Sequence, residues 1–147
     1  MSKTTPLVQF NFLASCTLPE RGKLKSYIGL VFKREGRVLD NLNIIFCDDP
    51  YLLSLNRQFL KHDYYTDILS FPLSPPGKPL VGEIYISIDR VRDNARNLET
   101  SFNQELHRVI FHGILHFCGY KDKTLRDIRK IRAREDKYLT LYLTLKV

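Results

Sequence analysis

Residues 106–119, LHRVIFHGILHFCG, limit the possible folds of this chain more than any other segment. Arranged as a helix, the segment has almost no polar face. Its apolar positions are Val109, Ile110, Phe111, Ile114, Leu115, Phe117 and Cys118. A helix that is apolar all round is a buried helix, because each of its faces needs apolar neighbours. The sequence therefore predicts a central helix that other elements enclose.

Two histidines, His112 and His116, lie within this apolar helix. A buried imidazole needs a polar partner, and residues four apart lie one turn apart on the same helical face. Both rings can therefore reach one metal ion at the usual zinc–nitrogen distance of about 2.0–2.1 Å. Gly119 can end the helix in a left-handed conformation, and Asp122 follows at the spacing of the last ligand in the zincin motif H-E-x-x-H-x-x-G-x-x-H. The pattern predicts a metal site formed by His112, His116 and Asp122.

The alternative to a metal site is an ordinary buried helix with structural histidines, followed by a helix that Asp122 caps. Thr124 and Asp127 fit the first turn of that last helix better, which leaves Asp122 available to a metal. Gly113 stands where metallopeptidases carry a glutamate as general base. The pattern thus favours a metal site and disfavours a peptidase.

Hydrophobic periodicity predicts nine elements in the order β-α-β-α-β-β-α-α-α. The predicted strands cover residues 7–13, 42–47, 67–73 and 81–89, and the predicted helices cover residues 19–36, 48–60, 89–99, 101–118 and 125–143. A helix joins the first two strands, which should be parallel, whereas a loop joins the last two as antiparallel neighbours. The expected fold is α/β with α+β character, in one domain over residues 1–147. It combines a small four-stranded mixed sheet with about five helices, one of them a zincin-like metal-binding helix.

Several side chains of these elements have predicted positions. Pro19 suits the first turn of the first helix, and Gly36 suits its C-terminal cap. Leu52, Leu55 and Phe59 follow one face of the second helix, which should be its inner face.

The remaining polar groups near the histidine pair have predicted roles as well. Glu105 lies seven residues before His112 and therefore on the same helical face. It is a candidate to accept a hydrogen bond from a ligand histidine, although an exposed carboxylate is the commoner outcome. His107 is about 140° from His112 around the helix, so it should not share the site. His62 is interpreted as a structural or surface residue.

Composition and charge indicate which kind of partner and which cellular compartment to expect. The 147-residue chain has a formal net charge of +7 and a sequence pI of about 9.4, which favours a polyanionic partner, with nucleic acid first. Its three cysteines lack C-x-x-C spacing, which argues against both a disulfide framework and a cysteine zinc site. No apolar run approaches the roughly 18 residues of a membrane span, and the first residues lack the apolar region of a secretory signal. We expect a cytoplasmic protein with no membrane partner.

Three segments match a known family pattern in order along the chain. They are LNRQFLKHDYYTDILSFP at 55–72, GEIYIS at 82–87 and HGILHFCGYKD at 112–122. They are similar to the LN…R…KD…TDVLSFP segment, the GDI-I strand and the H-G-x-L-H-L-x-G-Y-D-H signature of the YbeY family. These are bacterial endoribonucleases of ribosomal RNA maturation.

The resemblance implies a single-domain α/β fold with one zinc ion (Zn2+) per chain near one end of the histidine helix. His112 and His116 match the first two family ligands. The resemblance also implies a cytoplasmic protein that acts on single-stranded RNA, in particular on small-subunit ribosomal RNA ends. Ribosomal RNA and the small ribosomal subunit are then the expected partners, and no DNA partner is expected.

Two positions differ from the family pattern. Asp122 stands at the third ligand, where the family has histidine. Aspartate is a competent zinc ligand, but its negative charge should make the metal a weaker Lewis acid. Leu60 stands where the family carries an arginine that would bind or polarise a phosphate, and Arg57 lies one turn back as a possible substitute.

Basic residues are the remaining candidates for RNA contacts. Lys121 and Lys123, beside Asp122, are candidates to steady a phosphate, as is Arg57. A phosphate track is predicted from two further clusters, which are Arg90, Arg92 and Arg96 in one helix and Arg126, Arg129 and Lys130 in the last helix. The alternative is a solvated helix face on which Asp127, Glu135 and Asp136 offset the positive charge.

These features together predict a metal-dependent, single-strand-specific endoribonuclease that acts in ribosomal RNA processing and ribosome maturation. Three protein ligands leave a position open for a metal-bound water, which would attack the RNA phosphodiester. The second hypothesis is a non-enzymatic RNA- or ribosome-binding maturation factor with a structural zinc, which the missing arginine favours. A metallopeptidase is the third. Two histidines and a carboxylate also suit iron, nickel or manganese.

Overall fold

The predicted elements occur in the predicted order in the computed structural model, which describes residues 6–145. The strands are β1 (Leu7–Phe12), β2 (Leu39–Cys47), β3 (Ile68–Pro72) and β4 (Leu80–Ser87). The helices are α1 (Arg21–Arg34), α2 (Asp49–Leu60), α3 (Ile88–Asn97), α4 (Phe102–Phe117) and α5 (Leu125–Thr144). Each element lies within a few residues of its predicted range.

The strands form one mixed sheet in the order β1-β2-β4-β3. Strand β2 is parallel to both β1 and β4, whereas β3 is antiparallel to β4. The predicted parallel and antiparallel pairs are therefore confirmed, and so is the predicted fold class of a four-stranded mixed sheet with five helices. Strand β3 lies at an edge of the sheet, so one side of its backbone has no neighbouring strand within residues 6–145.

Helix α4, which carries the histidine pair, is buried as its apolar sequence predicts. The side chains of Leu106, Ile110, Phe111, Ile114 and Leu115 are fully enclosed, at 0% exposure. The sheet and helices α1, α3 and α5 surround the helix. Each such side chain stabilises the fold by about 1.5–3 kcal/mol on leaving water. The hydrophobic core therefore fixes where α4 lies, and with it the two histidines.

The start of α1 differs from the prediction. The helix begins at Arg21, so Pro19 precedes it and does not occupy its first turn. Glu20 intervenes in the left-handed conformation (φ 53°), which turns the chain into the helix and leaves no helical position for Pro19. At the other end Gly36 has the positive φ (74°) that was predicted for a C-terminal cap.

The predicted inner face of α2 is correct only in part. Leu52 is 1% exposed, but Phe59 is 59% exposed. The C-terminal end of α2 lies beside the short edge strand β3, where its Phe59 ring meets the ring of Phe71 at a centroid distance of 5.9 Å. The sheet ends there, so within residues 6–145 no further strand covers Phe59.

His107 takes no part in the site of His112, as predicted, and is buried within the core at 1% exposure. Its ring stacks on Tyr142 with a centroid distance of 5.2 Å. Its Nδ1–H donates a hydrogen bond of 2.6 Å to the backbone carbonyl of Asn103. Burial lowers the pKa of His107, and the hydrogen bond to Asn103 opposes this only in part.

The lowered pKa of His107 predicts a loss of stability in mild acid. Below about pH 6.5, His107 binds a proton in the unfolded chain more readily than in the folded protein. The free energy of unfolding therefore falls as the pH falls. This residue contributes at most about 1.4 kcal/mol per pH unit. Urea unfolding at about pH 7.5 and about pH 5.5 should show a smaller decrease for His107→Phe than for wild type. The exposed His62, replaced in the same way, should leave the decrease unchanged. Equal decreases for wild type and His107→Phe would refute the prediction.

Candidate metal centre

Gly119 ends α4 and reverses the chain, as predicted from its position. Its φ is 102°, a left-handed conformation that glycine adopts without strain. The N–H of Gly119 donates to the carbonyl of His116, and the N–H of Tyr120 donates to the carbonyl of Leu115. This pair of hydrogen bonds is the Schellman motif. The reversal brings Asp122 back towards the histidines.

Asp122 has no part in capping α5. The Thr124 hydroxyl accepts a hydrogen bond of 3.0 Å from the N–H of Asp127. The Asp127 carboxylate in turn accepts one of 3.3 Å from the N–H of Thr124. The predicted capping box is therefore confirmed, and the carboxylate of Asp122 is available for other contacts.

The three predicted ligand atoms converge on one point. The Nε2 atoms of His112 and His116 are 3.0 Å apart. Asp122 Oδ2 lies 3.2 Å from Nε2 of His116 and 3.7 Å from Nε2 of His112. In a tetrahedral zinc site with bonds of about 2.0–2.1 Å, ligand atoms lie about 3.3–3.4 Å apart. The donor types and their spacing both fit zinc.

A buried carboxylate holds the other ring nitrogen of His112. Nδ1 of His112 donates a hydrogen bond to Oε2 of Glu135, which is 1% exposed. Burial by itself raises the pKa of Glu135, but the hydrogen bonds and charges of His112 and then of Arg108 lower it on balance. The expectation that Glu135 lies on a solvated face of the last helix is wrong. Glu135 lies at helical spacing between the buried residues Ile131 and Tyr138, so α5 directs it inwards.

Arg108 joins Glu135 to a second buried carboxylate, that of Glu105. Its Nη1 donates to Glu135 at 2.8 Å, while Nε and Nη2 donate to the two oxygens of Glu105 at 2.8 and 2.6 Å. Within residues 6–145, Glu105 accepts hydrogen bonds from Arg108 and Asn94 but not from His112. The predicted contact from Glu105 to a ligand histidine is therefore wrong, because Arg108 occupies both oxygens. One guanidinium and two carboxylates leave this network with a net charge of −1, which a cation beside His112 would offset.

Two cavities, of about 400 and about 280 Å³, meet at the site, and His112 and Asp122 line both. Asp67, the residue before β3, lines both cavities as well. Its Oδ2 accepts a hydrogen bond of 3.1 Å from the side-chain amide of Asn94. Asp67 lies outside the group of three ligand atoms, which are all within 4.8 Å of one another. Asp67 was not among the site residues predicted from the sequence, although it belongs to the TDILSFP part of segment 55–72.

Gly113 is a point of close approach between α4 and the sheet. A Cβ atom at this position would lie 2.7 Å from Cδ1 of Ile68 and 3.0 Å from Cδ1 of Ile84. A glutamate here would therefore point into the sheet and not towards His112 and His116. The fold itself thus leaves no room for the glutamate of the zincin motif at this position.

A glutamate introduced by Gly113→Glu should lower the free energy of unfolding by about 3 kcal/mol or more. Overpacking costs about 1–3 kcal/mol, and an unpartnered polar group forced into the helix–sheet contact adds a comparable cost. Urea unfolding measures the change. Gly29→Glu is the matched control, because a Cβ at Gly29 in α1 meets no atom within 4 Å. If both variants are equally stable, the contact at Gly113 does not exclude the glutamate.

The basic residues beside Asp122 differ in their surroundings. Lys121 lines a separate cavity with Glu35 and Cys118, and Lys130 lines the same one. Lys123 is exposed next to Asp122. Arg57 is exposed and forms an ion pair with Asp63, so its charge is already partly offset.

The two predicted clusters on helices also differ. In α3, Arg90 pairs with Asp49 at 3.0 Å, Arg96 pairs with Asp93 at 2.9 Å, and Arg92 lies over the ring of Phe102. In α5, by contrast, the cluster of Arg126, Arg129 and Lys130 is exposed and forms no ion pair within residues 6–145. The α5 cluster therefore has more positive charge available to a polyanion.

Arg132 is an exposed basic residue that lies at the site and was not among the site residues predicted from the sequence. It lines the smaller cavity together with His112, Asp122 and Asp67. Within the described part of the chain it has no ion-pair partner. It lies about two turns into a basic helix, and no sequence signal separates it from its basic neighbours.

Most of the chain is similar to the proteins of one family. Residues 23–142 match the family model described as Endoribonuclease YbeY. The chain belongs to the YbeY family. One relative, Endoribonuclease YbeY of Cytophaga hutchinsonii, is 47% identical over 84% of this chain and 87% of its own length. Another, Endoribonuclease YbeY of Flavobacterium psychrophilum, is 42% identical over 92% of this chain and 96% of its own length.

A solved structure resembles this YbeY-family chain in fold. It is the solution structure of TM1509 from Thermotoga maritima, with a TM-score of 0.62 and 28% sequence identity. The match covers 92% of this chain and 88% of that protein. In the described residues, no helix combines the length and the apolar character needed to span a membrane.

Proposed function

We propose that this YbeY-family chain is a metal-dependent endoribonuclease for single-stranded RNA, with zinc held by His112, His116 and Asp122. The observation that carries the proposal is the convergence of three ligand atoms, 3.0–3.7 Å apart, at the border of an open cavity. Two imidazoles and one carboxylate are a donor set that zinc accepts with a fourth position to spare. A bound zinc supplies a Lewis acid for the phosphodiester and lowers the pKa of water.

Other residues of the chain supply the remaining groups in this proposal. Asp67 lines the cavities that His112 and Asp122 border, and Asn94 holds its Oδ2. Oδ1 of Asp67 has no hydrogen-bond donor within residues 6–145 and is our candidate to accept a proton from the attacking water. Arg132, in the smaller cavity, is our candidate for binding a phosphate oxygen.

The surroundings of the site favour an extended polyanion as substrate. The larger cavity is lined by consecutive residues of the edge strand, Ile68, Leu69 and Ser70. The exposed α5 cluster adds positive charge that suits a phosphate backbone. We further propose ribosomal RNA as the natural substrate and the small ribosomal subunit as the partner in the cytoplasm. The net charge of +7 and the family resemblance support this choice.

Incubation with three substrates tests the proposed function. Single-stranded RNA, the same RNA as a duplex, and casein are each treated with the protein, with and without a metal chelator. We expect the protein to carry about one zinc per chain and to cleave only the single-stranded RNA. The chelator should abolish this cleavage. RNA binding without cleavage would favour the maturation-factor hypothesis, and casein cleavage would favour a peptidase. Protein purified without chelators that contains no metal would overturn the site.

A further inference from the structure

Glu135, on α5, contacts a proposed metal ligand without being a ligand itself. Its Oε2 accepts the hydrogen bond from Nδ1 of His112, and its Oε1 accepts one of 2.8 Å from Arg108. A carboxylate can only accept here, so the proton of the neutral His112 ring lies on Nδ1. The lone pair of that ring then lies on Nε2, the atom that is 3.0 Å from Nε2 of His116.

We infer that Glu135 is a positioning residue that selects the metal-binding tautomer of His112 and fixes the orientation of its ring. The inference rests on the proposed function, because it concerns His112 as a ligand. A neutral imidazole has two tautomers, and only the one protonated on Nδ1 offers Nε2 to a metal. Without a fixed acceptor at Nδ1, metal binding would have to select both the tautomer and the ring orientation, which weakens affinity.

Glu135 is itself held firmly enough for this role. Arg108 donates to one of its oxygens and, with two further N–H groups, to both oxygens of Glu105. Glu135 and Glu105 are each 1% exposed, so water has little access to their oxygens. Because Arg108 offsets only one of the two carboxylates, the remaining negative charge lies next to His112. That charge favours a cation at Nε2 of the same ring.

A purely structural role for Glu135 is the alternative, since the residue also links α5 to α4. A contact that only holds the two helices together would affect folding but would not determine which nitrogen of His112 carries the proton. The tautomer of His112 in the folded, metal-free protein therefore distinguishes the two roles. Nitrogen NMR of histidine-labelled protein reports it directly, at about pH 8, where an ordinary imidazole is neutral.

The tautomer experiment uses three variants. Wild type and Glu135→Gln should both show His112 protonated on Nδ1, because the glutamine amide oxygen can still accept the hydrogen bond. Glu135→Leu should show a mixture of the two tautomers. Asp136→Leu is the matched control, because Asp136 is exposed on the same turn of α5 and loses the same charge. It should show the wild-type tautomer.

Zinc affinity gives a second readout, measured by competition with a chelating dye. Glu135→Leu should bind zinc about 10–100-fold more weakly than wild type, and Asp136→Leu should bind it equally well. Thermal unfolding of each variant checks that it is folded. If Glu135→Leu does not fold, Glu135→Gln replaces it in this assay, with an expected loss of about 10-fold because the negative charge is gone.

The outcomes separate this inference from the proposed function. Wild-type His112 protonated on Nε2, or an unchanged tautomer and unchanged zinc affinity in folded Glu135→Leu, would overturn the inference and leave the proposed site standing. If Glu135→Leu does not fold, unchanged zinc affinity in Glu135→Gln would overturn it. An equal effect of Asp136→Leu would also overturn it, because any lost charge would then suffice. Failure of the wild type to bind zinc would overturn the proposed function, while the metal-free NMR spectrum would still decide whether Glu135 sets the tautomer.

Discussion

Replacing His116 by alanine is expected to abolish zinc binding and to slow cleavage of single-stranded RNA by more than about 100-fold. Only His112 and Asp122 would remain of the three converging atoms. Catalytic zinc sites keep three protein ligands, and even the loss of a group that merely supports a ligand costs about 10–100-fold. The loss of a ligand should exceed that range. Zinc content per chain and the initial rate of cleavage measure the effect.

Asp122 allows a sharper form of the same experiment. Asp122→Ala should lose zinc and activity as His116→Ala does, whereas Asp122→His should retain zinc, because imidazole is an equally competent ligand. Lys123→Ala, on the exposed neighbour of Asp122, is the control for zinc binding and should retain full zinc content. Full zinc content in Asp122→Ala would show that this aspartate is not a ligand, whatever its distance from the histidines.

The three candidate ligands could be predicted because their positions depend on local geometry. His112 and His116 share one helical face at their spacing in any α-helix. The left-handed Gly119 and the capping box at Thr124 then determine the path of the chain to Asp122. None of these steps requires knowledge of the sheet or of another helix.

The position of β3 could not be predicted in the same way. Local patterns predict that β3 and β4 pair, but not which strand occupies the other side of β4. The strand on that side is β2, which is distant from β4 in sequence: Leu42 of β2 pairs with Gly82 of β4. Only that pairing makes β3 an edge strand beside the site, and only then does Asp67, at its start, become part of both cavities.

The buried network behind His112 was also hidden from the sequence. Glu135 lies in a helix so rich in charged residues that a solvated face is the natural interpretation. A weak signal was present, because Glu135 lies at helical spacing between the apolar Ile131 and Tyr138. Its burial depends on Arg108, however, and that partner belongs to a different helix. Pattern analysis within one element cannot identify such a pair.

Replacing Asp67 by asparagine is expected to slow RNA cleavage by about 10²–10⁴-fold, the usual contribution of a general base. Zinc content should not change, because Asp67 lies outside the three-atom group. The fold should not change either, since the oxygen of the new amide can still accept the hydrogen bond from Asn94. The rate at saturating RNA, with zinc content measured on the same sample, tests all three expectations.

The control for Asp67→Asn has to remove the same charge from the same loop. Asp63→Asn does so, because Asp63 has a side chain that is 74% exposed and pairs only with Arg57 in the described residues. If Asp63→Asn leaves the rate unchanged while Asp67→Asn lowers it, loss of negative charge from the loop is not the cause. Loss of zinc from Asp67→Asn would instead make Asp67 a ligand. An unchanged rate would mean that another group accepts the proton. Among the described residues, Asp122 and Glu135 are the only other carboxylates that line either cavity.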